Sequence, residues 1–197
     1  RYDSRHSIIK YNNHNFQLRN FYYADPEFLD LFSFPLIKGD PDAALSEPYS
    51  VLITETEAER IFGREDPIGK PLLIDGQHHF TVTGILRDLP VKTYFNFGYL
   101  APIETLNSIN GNDFLNNWGN ISYELFAELR EDTDLEAFEN KLPEFITRHG
   151  YGGNPKDHFM PQKLSDVHLM GEEIDAEDNR KIKKLMLYSA VALLILL

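Results

Sequence analysis

The sequence predicts an α+β domain, and three observations carry that prediction. Phe80, Val82, Gly84 and Leu86 alternate with Thr81, Thr83 and Ile85, the period-two pattern of a strand with one buried face. Asp75-Gly76 stands between Pro71–Ile74 and that run, a tight-hairpin signal because such a pair accepts a positive φ. Upstream, Ala58, Ile61 and Phe62 form one apolar stripe between Thr54 and Gly63. This reads as a short helix that leaves a strand and stops at a glycine.

Taken in order, the other elements fill in around these. Asp25-Pro26 reads as a helix start, with Asp at the N-cap and Pro at the first helical position. Phe28, Leu29, Leu31 and Phe32 supply that helix with apolar contacts. Phe34 to Ile37 reads as a strand ended by the turn residues Lys38-Gly39-Asp40-Pro41. Val51-Leu52-Ile53 is a buried strand entering Thr54, and Thr54 with Glu57 matches a capping box. Asp66-Pro67-Ile68-Gly69 is a second turn, so residues 48 to 90 make one strand–helix–hairpin unit.

The pattern weakens from Pro90 to Asn120, with a short helix expected near Pro102 to Ile109. Ile121, Tyr123, Leu125, Ala127 and Leu129 then alternate with Ser122, Glu124, Phe126, Glu128 and Arg130, the clearest strand pattern in the chain. Asp134 caps a helix lined by Leu135, Phe138, Leu142, Phe145 and Ile146, which Pro143 should kink or interrupt. A last strand is expected between Met160 and Leu169, and Gly171 to Arg180 is a polar linker. Leu185 to Leu197 carries no charge. A membrane span needs about 20 apolar residues, so a buried core helix is one reading. The run is apolar on every face, and the expectation is the start of a transmembrane helix.

Composition narrows the function. With 31 acidic residues against 19 basic ones the net charge is -12, which repels phosphate backbones and argues against nucleic-acid binding. No cysteine is present, so disulfides, thiolate metal sites and thiol nucleophiles are excluded. Among the seven histidines, His78 and His79 are strand neighbours and point to opposite faces. His6 and His14 lie apart in an N-terminal stretch expected to be loop-like. No His-Glu-x-x-His spacing, Gly-x-Ser-x-Gly elbow or phosphate-binding glycine loop occurs. The expectation is therefore no catalytic residue, no metal and no cofactor. Tyr22, Tyr94, Phe95, Phe97 and Trp118 are the aromatics that could form a contact patch, although most Phe and Tyr must be core.

One segment is more specific. Val51-Leu52-Ile53-Thr54-Glu55-Thr56-Glu57-Ala58-Glu59-Arg60-Ile61-Phe62-Gly63, followed by Asp66-Pro67-Ile68-Gly69-Lys70, resembles the signature of the MacB-like periplasmic core domain of FtsX-like ABC-transporter permeases. Phe21 to Phe28, Phe32 to Asp40, and Thr81 to Ile85 with Asp88-Leu89-Pro90 resemble further family elements in the same order. Asp166-Val167-His168-Leu169 resembles the element before the second transmembrane helix. The style is that of unfused Bacteroidetes permeases. Val91-Lys92-Thr93-Tyr94 departs from the Asn-Ser-His-like turn expected there.

The resemblance implies a porter-like α/β subdomain, residues 1–47 with 117–170, and an inserted strand-rich, Sabre-like subdomain over 48–116. It makes 171–184 a juxtamembrane linker and 185–197 the start of a transmembrane helix. It also marks Phe62, Gly63, Asp66, Pro67, Gly69, Gly84, Asp166 and His168 as family-signature structural residues. The implied protein is an inner-membrane permease whose periplasmic segment this is, coupling ATP-driven motion to substrate or partner handling. The implied partners are a separate cytoplasmic ABC ATPase, a second permease copy, and a periplasmic adaptor, lipoprotein or peptide substrate. Two alternatives stand beside it: the permease ectodomain of a lipoprotein-releasing system, and a periplasmic ligand-binding sensor domain of a signalling protein.

Overall fold

A computed structural model describes residues 7–90, 93–116, 123–149, 161, 163 and 164. The chain divides into two compact units, Arg1–Arg130 and Glu131–Leu197. The first unit contains strands β1 (Ile8–Tyr11), β2 (His14–Gln17), β3 (Phe21–Ala24), β4 (Leu36–Gly39), β5 (Ser50–Thr54), β6 (Pro71–Ile74), β7 (His78–Leu86) and β8 (Tyr99–Pro102). Its helices are α1 (Phe28–Phe32), α2 (Glu55–Phe62) and α3 (Thr105–Asn110). The second unit contains α4 (Leu135–Glu139) and α5 (Leu142–His149). The mixed α+β class agrees with the sequence.

The eight strands among the described residues belong to one sheet in the order β2-β1-β6-β7-β5-β8-β3, with β4 also pairing β7. The β5–β7 and β3–β8 pairs are parallel and the others antiparallel. Residues 8–39 and 50–102, assigned to different subdomains from the sequence, thus contribute strands to the same sheet.

Local chemistry explains most of these elements. Asp75 and Gly76 have φ of 52° and 68°, the backbone of a tight turn matched to strand twist, and they join β6 to β7. Asn12 at φ 51° makes a similar turn between β1 and β2. That hairpin replaces the loop expected around His14; each of its strands is four residues long, too short for alternation to be read. At β8, Tyr99, Leu100, Ala101 and Pro102 are all buried, and a strand buried on both faces shows no alternation to read.

The sheet carries a core on each face. Val51 and Ile53 of β5, with Tyr99 and Ala101 of β8, pack with Ile61 and Phe62 of α2. Leu52 and Leu100 point the other way, into a cluster with Leu29, Phe95 and Phe97. Strand β7 serves both. Its register against β5 shifts between Val51↔Val82 and Leu52↔Gly84, a bulge that places Thr83 out of the ladder. Phe80 and Val82 therefore enter the first core, and Leu86 enters the second. Strands β4 and β5 crowd β7 at Gly84. A Cβ there would lie 2.6 Å from Leu52 Cδ2 and 2.9 Å from the Lys38 carbonyl oxygen.

Three expectations are corrected. Helix α1 begins at Phe28 behind Glu27, because Asp25 uses its carbonyl to close a turn onto the Phe28 N–H at 3.1 Å. Thr54 makes no side-chain cap to α2. Asp88 caps it instead, accepting from the Thr56 N–H at 3.0 Å and the Thr56 hydroxyl at 2.7 Å, while Glu55 accepts the Asp88 N–H at 3.2 Å. The reciprocal bonds of a capping box are present but made across the fold. Residues 123–130 form no strand. Leu125 is 87% exposed, whereas Phe126 sits 5.2 Å from the Phe32 ring and 5.4 Å from Phe95. An aromatic hole selects the opposite parity from the apolar alternation.

In the second unit, Asp134 caps α4 as expected by accepting the Ala137 N–H at 3.1 Å. The helical stretch is broken between Glu139 and Leu142, so Pro143 falls in the first turn of α5, where its missing N–H costs nothing. The strand expected over Met160 to Leu169, the linker and the C-terminal apolar run lie outside the described residues, apart from 161, 163 and 164.

Candidate functional site

The signature residues that are described converge at the end of α2. Phe62 is buried, and its ring centroid lies 4.5 Å from that of Tyr11. Gly63 ends the helix at φ 60°, its N–H donating to the Glu59 carbonyl at 2.9 Å, and Gly69 turns the chain at φ 75°. Side chains with a Cβ rarely adopt this left-handed region. The Gly69 N–H donates to Val82 O at 2.8 Å, and Val82 N–H returns to Lys70 O at 3.0 Å. Asp66-Pro67-Ile68-Gly69 is thereby stitched to the middle of β7, two residues from Gly84.

Charged groups fasten the outside of this turn. Lys38 donates to Asp66 at 2.6 Å, and the Ile68 N–H donates to the other Asp66 oxygen at 3.2 Å. The Lys38 ammonium, and after it that N–H, hold the Asp66 carboxyl below its ordinary range. Lys70, and then the Tyr11 hydroxyl, do the same for Glu65. Tyr11 donates to Glu65 at 2.8 Å. Between α2, β4 and the turn lies a shallow groove of about 490 Å³ floored by Ala58 and Ile85 and edged by Lys38, Glu59, Arg64 and Asp66.

Beneath α2 is a network that sequence reasoning missed. Arg60 Nε donates to Glu57 at 2.7 Å, and Arg60 Nη2 donates to the Tyr99 hydroxyl at 2.8 Å. The Tyr99 hydroxyl in turn donates to Glu57. Tyr99 is fully buried and Glu57 is only 8% exposed. Burial, and then the Glu57 carboxylate, push the Tyr99 phenol far above its ordinary value. Burial opposes the charge on Arg60, but Glu57 and Tyr99 outweigh it and hold the guanidinium above its usual value. Gly98 makes the room, since a Cβ there would stand 3.0 Å from Glu57 Cγ. The readable signal was the Glu57–Arg60 spacing of three on a helix; reading Glu57 as a cap partner obscured it.

The remaining site expectations divide. Phe95 and Phe97 are buried core residues, Tyr22 is half-buried, and Tyr94 is 38% exposed. Trp118, Asp166 and His168 lie outside the described residues. Among the described residues no group of three or more His, Cys, Asp or Glu could hold a metal ion, and no described helix is long and apolar enough to cross a membrane.

The first unit is thus a mixed sheet with a glycine–proline turn stitched to β7 and ion pairs along that turn. A family model for the MacB-like periplasmic core domain matches residues 2–145. The chain belongs to that family, and it is the periplasmic portion of a MacB/FtsX-like ABC permease. A domain of a permease protein from Porphyromonas gingivalis shares the fold at 23% identity and TM-score 0.58, over 83% of this chain and 74% of that one. The periplasmic region of MacB from Actinobacillus actinomycetemcomitans does so at 20% identity and TM-score 0.54, over 82% and 69%. No curated protein matches the chain.

Proposed function

We propose that this domain transmits motion. ATP hydrolysis on a separate cytoplasmic ATPase moves the permease helices, and the domain carries the displacement to a substrate or partner in the periplasm. Family membership implies the ATPase partner and a second permease copy; an adaptor, lipoprotein or peptide is the object acted upon. The observation that carries the reading is the family match over residues 2–145. The build of the first unit supports it: a continuous sheet packed on both faces is stiff, because close-packed interiors transmit strain rather than absorb it. We further propose that Phe62, Gly63, Asp66, Pro67, Gly69 and Gly84 are structural, fixing α2 to β7 so that helix and sheet move together, and that Asp166 and His168 belong to the exit toward the membrane.

The test is affinity isolation of the full-length protein from membranes, with mass spectrometry of what accompanies it. Recovery of an ABC ATPase is the expected result. Recovery of a histidine kinase or response regulator without an ATPase would overturn the reading and favour a sensor domain.

A further inference from the structure

We propose that the β1–β2 hairpin is a flap clasped by Arg60, able to open as a unit while the rest of the sheet stays folded. The hairpin lies at one end of the sheet, and β1 meets β6 through two register pairs, Ile9↔Ile74 and Lys10↔Leu73. By contrast β5 meets β7 through five pairs and β6 meets β7 through four. The β5–β8 ladder also has two pairs, but β8 is held on its other side by four pairs to β3. The hairpin has β6 alone as its link to the sheet, so side chains must supply much of the attachment.

Arg60 supplies the central one. Its base is fixed in the body by Glu57 and Tyr99. Its Nη2 donates to the Gln17 carbonyl at 3.1 Å, at the end of β2. The guanidinium carbon also stands 5.5 Å from the centre of the Phe16 ring, within cation–π range. One cation therefore joins a buried carboxylate and phenol to both the backbone and a side chain of the edge strand. At the other end, the Asp75 carboxylate accepts from the Ser7 hydroxyl and the Ile8 N–H, each at 3.0 Å.

The hinge has a physical location. Asn20 adopts φ 50°, and its carbonyl accepts the Gly98 N–H at 3.0 Å. The chain is thus pinned to the body immediately after Arg19, and the flap ends there. Ile9 and Tyr11 are buried in the first core, so opening exposes apolar surface and the closed form dominates. Such sub-global opening is the behaviour expected of a weakly laddered element at a sheet end.

Hydrogen–deuterium exchange of the whole chain, resolved by peptide, tests this. The pair variant Glu57→Gln with Arg60→Met removes the clasp without stranding a buried charge. Exchange of the peptide over residues 7–18 should rise by about tenfold or more, with residues 50–54 and 78–86 changing far less. Phe16→Ala, which removes the clasp's contact on the flap side, should raise the same peptide selectively. The proposal is overturned if flap and central strands accelerate together in both variants, or if the flap peptide does not change in either.

Discussion

The two faces of strand β5 are closed by different means. On the Val51 and Ile53 side the lid is helix α2, whose Ile61 and Phe62 join aliphatic strand residues and the rings of Tyr11, Phe21 and Phe80, with Glu57, Arg60 and Tyr99 locked beneath it. On the Leu52 side the lid is made of short segments that stack rings: Phe28 lies 5.0 Å from Phe95, Phe32 4.6 Å from Phe95, and Phe34 5.2 Å from Phe97. A polar network fixes one arrangement because each partner requires the others. Ring stacking needs only volume and a tilted approach. Rings pack on both faces, and the α2 side adds a buried bond network to them.

The largest expected effects compare the faces directly. Leu52→Ala and Ile53→Ala each truncate a side chain with 0% exposure on opposite faces, and each should cost about 2–5 kcal/mol in urea unfolding. If the faces are independent, the double variant loses the sum within roughly 0.5 kcal/mol; a larger departure would show that the faces are coupled through the strand. Gly84→Ala should cost about 1–3 kcal/mol by overpacking, because the new methyl meets Leu52 and the Lys38 carbonyl at sub-contact distances. An unchanged urea midpoint would show that β4 can shift freely.

Asp88→Ala removes the acceptor for both Thr56 donors and should cost about 1 kcal/mol, in the range of N-cap losses. Thr54→Ala should cost less, since Thr54 makes no cap bond. The reverse ranking would restore the local capping box.

The smallest effect is on pH. Glu65 and Asp66 are both held below their ordinary values when folded, so the unfolded chain takes up protons first. Their contribution is present above the unfolded values near about pH 4 and is lost as pH falls through the folded ones. Urea midpoints measured from pH 6 downward should fall, and less steeply in Glu65→Gln with Asp66→Asn. Equal slopes would remove both carboxylates from the account.

What the sequence revealed follows the range of the forces involved. The β6–β7 hairpin, α2 and the turn after it were legible because Asp75-Gly76, Gly63 and Pro67-Ile68-Gly69 act on their own neighbours. Strand β8 was not, because pairing partners far along the chain decide it, and the β1–β2 hairpin was not, because each of its strands is only four residues long. At residues 123–130 the local pattern gave the wrong outcome for the same reason: Phe126 answers to Phe32 and Phe95, which no window around it contains. The signature residues of the candidate site stood out as a motif. The Glu57–Arg60–Tyr99 network did not, since its third member lies 39 positions beyond Arg60.

The bulge at Thr83 bears on how relatives of this chain are aligned. Phe80, Val82, Gly84 and Leu86 look like one unbroken alternation, yet the first two and the last two face opposite cores. A relative lacking one residue here would show a trivial gap on paper. In space, loss of Thr83 would make Val51↔Val82 and Leu52↔Gly84 successive pairs, so the strand would run straight with Gly84 and Leu86 on the faces they hold now. Loss of a laddered residue would instead keep the bulge and slip the strand on one side of it. Gap placement within residues 82–84 therefore states whether a relative has lost the bulge or a residue of the ladder itself.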